Sequence, residues 1–402
     1  MRLRSVRVRN YKALRDIEMR DIPGFAVLVG ANGSGKTTFI DVFNFLRDCL
    51  RENVRDALRK RGGFGQVISR GYENQSIFVE LKIELDFATG AKKRIVTYSL
   101  EIGEENKRPL VLREILSWKR GSHGQPFRFI DFKKGEGEAI AESFDAFDSD
   151  VAEVNLKREY QALDSPDILA LKGLGQFKRF DAASQLRELI EGWTVNDLHI
   201  EDARGEPDAA PAEHLSPSGD NIALYAQFLK EYHSEIYGGL VRRMAERVPG
   251  IAEVSAEDTG DGRVALRFRD DAFERSFIAR AVSDGTIKMF AYLALLSDPH
   301  PHPLLCVEEP ENQLYPSLLE VLAEEFGVYA DRRKGLGQVF VTTHSPDFLN
   351  AVPLESIFWL EKISGYSTLH RAKNDEILRN YTDEGELPGW LWRQNLFTGA
   401  NP

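Results

Sequence analysis

Apolar and polar residues alternate through Met1-Arg2-Leu3-Arg4-Ser5-Val6-Arg7-Val8-Arg9, a period of two that predicts a half-exposed β-strand. The run Phe25-Ala26-Val27-Leu28-Val29 is continuously apolar between Gly24 and Gly30. It predicts a strand buried on both faces, as in a parallel sheet. From Lys36 to about Cys49 the apolar positions Phe39, Ile40, Val42, Phe43, Phe45 and Leu46 recur at helical spacing, so strand, glycine loop and helix follow one another. Alternation returns between Ile77 and Phe132 and predicts antiparallel strands, with Thr89-Gly90 as a hairpin turn.

From about Glu138 to Gly250 the texture is helical, with Ser165-Pro166-Asp167 as a helix start and Gly205 to Gly219, rich in Pro, Gly, Ala and Asp, as a loop or hinge. Strand-like runs then flank Thr259-Gly260-Asp261-Gly262. A helix after Ser283, the apolar run Leu304 to Val307, a further helix and the strand Val339 to Thr342 complete the pattern. Strands alternating with helices at both ends of a helical middle predict one α/β domain with an insertion. The expected division is 1–137 for an N-terminal lobe, 138–250 for a mainly helical insertion and 251–402 for a C-terminal lobe.

Composition narrows the class. With 42% hydrophobic residues in 402, a sizeable core is possible and a disordered chain is excluded. No run approaches the ~20 apolar residues of a membrane helix, and no secretory segment opens the chain. Cys49 and Cys306 are the only cysteines, without a C-x-x-C, so neither a disulfide framework nor a zinc ribbon can form and a cytoplasmic location is expected. The net charge of −11 opposes wholesale coating of nucleic acid. Two basic runs stand out, Arg2, Arg4, Arg7, Arg9, Lys12, Arg15 and then Arg51, Arg55, Arg59, Lys60, Arg61; each reads first as a solvated face.

Gly30-Ala31-Asn32-Gly33-Ser34-Gly35-Lys36-Thr37 fits G-x-x-x-x-G-K-[ST] in the setting that motif requires, after a buried strand and before a helix. Its glycines let backbone N–H groups surround a phosphate, Lys36 reaches the outer phosphates, and the Thr37 hydroxyl can ligate Mg²⁺. Leu304-Leu305-Cys306-Val307-Glu308-Glu309 is an apolar strand ending in two carboxylates, which a parallel sheet turns toward the nucleotide crevice. Strand alternation points Glu308 and Glu309 in opposite directions, one suited to a metal shell and the other to an attacking water.

Further motifs resemble a known family. Ser283-Asp284-Gly285-Thr286 resembles the signature motif of ABC-class ATPases. Glu308-Glu309-Pro310-Glu311-Asn312-Gln313-Leu314-Tyr315-Pro316 is similar to the E-E-P-E-N-x-L-H-P block of compact bacterial ATPases related to RecF and SMC, and Thr342-Thr343-His344-Ser345-Pro346 resembles their histidine switch. Val8-Arg9-Asn10-Tyr11-Lys12-Ala13-Leu14 and Arg61-Gly62-Gly63-Phe64 also look like this group, so the match runs in family order from the first strand to His344. The resemblance implies an ABC-type ATPase head, a P-loop parallel or mixed sheet with an antiparallel β subdomain, carrying the helical insertion. It implies ATP and Mg²⁺ as ligands, with Gly30, Asn32, Gly33, Ser34, Gly35, Lys36, Thr37 and Thr38 around the nucleotide. Thr37 and Glu308 would hold the metal, Glu309 the attacking water and His344 the γ-phosphate, while Lys36 neutralises phosphate charge. Ser283 and Gly285 would meet the nucleotide of a second copy, so the chain is expected to act as a head-to-tail homodimer. A glutamine that completes the nucleotide and metal set is assigned to Gln66, with Gln75 as the other choice. Tyr315 stands where the family has His, and Glu308 where many ABC proteins carry Asp.

The implied roles divide. One is an ATP-gated sensor or scaffold for a protein effector, as in anti-phage defence; the other is RecF- or SMC-like DNA work such as repair, using the basic runs on one face. No membrane partner is expected, because the acidic strand continues as Glu-Pro-Glu-Asn and not as in transporter subunits. A Toprim nuclease does not fit the roughly sixty residues after His344. Trp390 and Trp392, beside Leu387, Leu391, Leu396 and Phe397, read as core or partner packing in preference to a nucleobase platform.

Overall fold

A computed structural model describes residues 2–85, 94–118, 126–141, 158–333 and 336–399; the Thr89-Gly90 turn lies outside them. Strands β1 (Arg2–Tyr11), β2 (Leu14–Arg20), β4 (Ile77–Leu85), β5 (Arg94–Glu105), β6 (Arg108–Trp118), β7 (Phe127–Lys133), β8 (Glu136–Ile140) and β9 (Arg158–Ala162) form an antiparallel sheet in the order β2-β1-β4-β5-β6-β7-β8-β9. A second sheet runs β10 (Thr194–Asn196), β14 (Leu304–Glu308), β15 (Gln338–Thr343), β3 (Phe25–Val29), β16 (Ile357–Ile363), β17 (Tyr366–Arg371). Its first five strands are parallel and β17 is antiparallel. A small antiparallel sheet joins β11 (Ile251–Asp258), β12 (Val264–Asp270) and β13 (Phe277–Ile278).

The apolar runs of the second sheet are explained by two cores, one on each face. Ala26 and Leu28 of β3 face a core shared with the antiparallel sheet, while Phe25, Val27 and Val29 face the other; Cys306 and Val307 of β14 divide in the same way. Each fully buried aliphatic side chain is worth about 1.5–3 kcal/mol, and the buried polar residues of β15, Gln338, Thr342 and Thr343, stand at the ends of that strand. Helix α1 (Lys36–Arg51) fills the first core with Phe39, Val42, Phe43 and Leu46, and α2 (Asp181–Glu191) packs on it. Helices α3 (Ile222–Tyr232) and α4 (Ser234–Arg247) cover the small sheet, and α5 (Asp284–Leu295) and α6 (Pro316–Arg332) line the second core. Among the described residues no helix is long and apolar enough to cross a membrane.

The segment 138–250 is not helical throughout. It contributes β9 to one sheet and β10 to the other, the latter only three residues long and too short to show a period. Ser165-Pro166-Asp167 forms a turn, and the helix begins at Ala170, because the Asp167 carbonyl is engaged by the Val54 N–H at 2.9 Å and its carboxylate by Arg55 at 3.5 Å. The Gly205 to Gly219 segment is a loop tied along its length. Ala209 donates its N–H to the Gly262 carbonyl, and the Pro217 and Ser218 carbonyls accept from Asp197 and His199. Trp392 is buried against Phe397, with ring centroids 5.6 Å apart, as core packing requires.

Candidate nucleotide site

The carboxyl ends of β10, β14, β15 and β3 lie side by side, since Glu308 pairs with Thr342 and Thr343 with Val29. A ligand crevice at such an edge follows from the topology. The loop from Gly30 to Gly35 leaves β3 there. A Cβ on Gly30 would lie 2.6 Å from the Leu360 carbonyl, so only glycine lets the loop sit this close to β16. Gly35 takes φ +108° at the N-cap of α1, where no side chain caps the helix and its first N–H groups face an anion site. Asn32, Gly33 and Thr37 are exposed and Thr38 is half-buried, while Ser34 and Lys36 are buried.

Lys36 Nζ donates to the Gly30 carbonyl at 2.8 Å and lies 3.9 Å from Glu309 Oε1. Burial pulls its ammonium below the ordinary lysine range, against the opposing pull of Glu309, Glu311 and Glu308. The Ser34 hydroxyl is buried with no partner, although its carbonyl accepts from the Ser367 hydroxyl at 2.6 Å. A cation resting on loop carbonyls and an orphaned hydroxyl in the same loop fit a phosphate.

Thr37 hydrogen-bonds Glu308 at the end of β14. Burial pushes the Glu308 carboxyl up despite that bond, and the nearby Asp197, Asp41 and Glu309 push it further. Carboxylates around a hydroxyl suit a hard divalent cation, so Thr37 and Glu308 fit Mg²⁺. Asp197, which follows β10, is a residue that the helical reading of 138–250 concealed. Asp41, one turn beyond Thr37 on α1, is bound by Tyr11 (2.8 Å), Lys12 (2.7 Å) and Arg61 (2.9 Å), which ties the two motifs around Lys12 and Arg61 to the P-loop helix.

Strand alternation would separate Glu308 from Glu309, but β14 ends at Glu308 and Glu309 takes the left-handed backbone, φ +40°. Its N–H donates to the Thr342 carbonyl at 2.9 Å, and the turn carries its carboxylate back to Lys36 and to within 3.8 Å of His344 Nδ1. Both acids therefore face one site. Glu311 accepts from the Thr343 hydroxyl (2.8 Å) and the His344 N–H (2.7 Å) and lies 3.1 Å from His344 Nδ1. A strained φ at a carboxylate held this way is a mark of a functional position.

Ser283 is exposed and caps α5, its hydroxyl 2.8 Å from that of Thr286. Its hydrogen bonds do not reach the P-loop of the same chain. Gly285 is buried against the Gln313 carbonyl, beside the exposed Tyr315. Arg204, unmarked in the sequence, holds this segment: it donates to the carbonyls of Ala279 and Arg280 at 3.0 Å and Val282 at 2.8 Å, and to Asp284. Gln66 is exposed and accepts from Arg70 at 2.9 Å, and Gln75 accepts from Asn10 at 3.2 Å, so neither is hydrogen-bonded to Thr37 or Glu308. The two basic runs are largely paired within the chain: Arg4 with Glu84, Arg7 with Asp16, Lys12 and Arg61 with Asp41, Arg55 with Asp167, Lys60 with Glu52.

A P-loop at the carboxyl edge of a parallel sheet, with an antiparallel sheet on one side and the Ser283 helix on the other, is the fold of ATPase heads of the ABC and SMC kind. The chain belongs to the family described as "AAA domain, putative AbiEii toxin, Type IV TA system", whose model matches residues 25–350. Among solved structures it is similar to an SMC head bound to the C-terminal winged-helix domain of ScpA, with 13% identity and a TM-score of 0.51 over 92% of this chain and 97% of that one. The SMC head domain from Thermotoga maritima shares 15% identity at a TM-score of 0.44, covering 92% and 99% of the two chains. An SMC head from Pyrococcus furiosus, bound to the C-terminal domain of ScpA, shares 12% at 0.47, covering 96% and 99%. No curated protein matches the chain.

Proposed function

We propose that the chain hydrolyses ATP at composite sites between two head-to-tail copies and uses the cycle to hold or release a protein effector in bacterial defence. The observation that carries the ATPase reading is the convergence of Lys36, Glu309 and His344 beside the Thr37–Glu308 pair at one sheet edge. Bound Mg²⁺ would neutralise phosphate charge. Lys36 and the N–H groups opening α1 bind and orient the phosphates, and Glu309 orients the attacking water and takes its proton. His344 senses the terminal phosphate through the bond network of Glu311. Ser283, exposed at a helix start and unconnected to its own P-loop, supports the composite arrangement with Gly285. The toxin named in the family description supports defence, and the internal pairing of the basic runs favours an effector over a DNA track. Gln66 or Gln75 completes the set only if its loop moves when nucleotide binds.

Mixing Lys36→Ala with Ser283→Arg tests the arrangement. Each variant alone should lose hydrolysis, and mixed dimers, in which one site carries both defects and the other neither, should regain part of it. Full activity of Ser283→Arg alone overturns the composite site, and wild-type turnover of Lys36→Ala overturns the ATPase reading. Effector capture is read by co-purification from the native host with Glu309→Gln as bait; recovery of DNA in place of protein would select the repair reading.

A further inference from the structure

Far from the P-loop, at the amino end of β14, the turn Ser297-Asp298-Pro299-His300-Pro301-His302-Pro303 meets the 205–219 loop. His214, Asp298 and His302 each bring a ligand atom there, all within 4.8 Å of one another. We propose that these three side chains bind one divalent transition ion of the Zn²⁺ class, which clips the 205–219 loop to the turn between the Ser283 helix and the Glu308 strand.

The donor set is one that such ions select, two imidazoles and a carboxylate, with a fourth position left for water. Ligand atoms about 2.0–2.1 Å from a tetrahedral ion lie about 3.3 Å apart, and the present set, all within 4.8 Å of one another, contracts toward that distance when the ion binds. The surroundings are arranged as for ligands. His302 Nδ1 is 3.0 Å from the Gly192 carbonyl, which fixes the tautomer with its proton on Nδ1 and a bare lone pair on Nε2. Burial also pulls the His302 ring toward its neutral form. Asp298 is buried, and one of its oxygens accepts the His300 N–H at 2.7 Å while the other faces His214 Nδ1 at 2.8 Å. The ion takes the place of the proton now shared there. His214 itself is held by the Asn221 amide, which donates to its carbonyl at 2.9 Å.

The Tyr225 hydroxyl, fully buried and without a hydrogen-bond partner, is raised above its ordinary range by burial first and then by the charge of Asp298. The ring of His214 is exposed, so the ion has an entry path. The site is separate from the nucleotide by the length of β14, and its occupancy does not depend on ATP hydrolysis.

The test uses the full chain, stripped by chelator and titrated with Zn²⁺ in excess Mg²⁺ so that the hard oxygen site at Thr37 and Glu308 is already filled. One Zn²⁺ per chain is expected, with a rise in melting temperature, and Co²⁺ in its place should give the strong visible absorption of a four-coordinate site. His214→Ala and Asp298→Asn should each weaken binding by at least the ~10–100-fold that even outer partners of a metal are worth. His300→Ala, in the same turn but outside the set, should bind as the wild type. Because His214 is exposed, its variant is expected to melt like the metal-free wild type, which separates lost binding from lost folding. Absence of stoichiometric Zn²⁺, or binding unaffected by His214→Ala, overturns the site; binding abolished by Glu308→Gln instead would place the ion with the nucleotide.

Discussion

Glu311 accepts the backbone N–H of His344 at 2.7 Å, so the acidic block after β14 and the histidine after β15 form one hydrogen-bonded unit. The same carboxylate takes the Thr343 hydroxyl, and its other oxygen is buried without a partner. Glu311→Ala strands two donors and is expected to cost about 1–3 kcal/mol of stability. It should lower turnover at least tenfold while ATP affinity stays within a few-fold, because its hydrogen bonds go to Thr343 and His344 and none to the P-loop. Unchanged turnover in the folded variant would remove Glu311 from that role.

Glu309→Gln keeps the left-handed turn and its N–H bond to Thr342 but cannot accept a proton. Turnover should fall by about 10²–10⁴-fold, the usual worth of a general base. ATP binding persists, and light scattering with ATP should find a trapped dimer. A monomer with ATP bound would argue against closure.

Arg204 is the only side chain seen to bridge the Ala279–Val282 turn and Asp284 among the described residues. Arg204→Ala should leave ATP binding to the single chain intact and reduce hydrolysis together with ATP-driven dimerisation, mimicking Ser283→Arg in a milder form. Calorimetry and turnover on the same preparation check it.

Glu114 sets a pH dependence. It is buried between β6 and the helix starting at Ala170, accepts from the Ala170 and Leu171 N–H groups and from Tyr98, and burial pushes it up to about 7 in spite of those bonds. The folded state therefore binds this proton more tightly than the unfolded chain, whose ordinary value is 4.5. The stabilisation is full below that value and is lost as pH rises through about 7, by at most about 3 kcal/mol. Glu114→Gln should flatten the stability curve across that window, as read by urea unfolding at several pH values.

The local sequence determined the P-loop, β3, α1, β14 and the helix capped by Ser283, because each is specified within a dozen residues by burial on one or two faces, a glycine turn or a cap. It determined the residue types of the site for the same reason. Tertiary structure alone decided that Asp197 joins the acidic edge, since β10 has three residues and becomes a strand only by pairing with β14. It decided that Arg204 holds the Ser283 segment and that Asp298 meets His214 across 84 positions of chain, contacts with no local period to betray them. It also reversed the expected divergence of Glu308 and Glu309, because the Thr342 carbonyl on a neighbouring strand captures the Glu309 N–H and turns the chain where alternation would have carried it on.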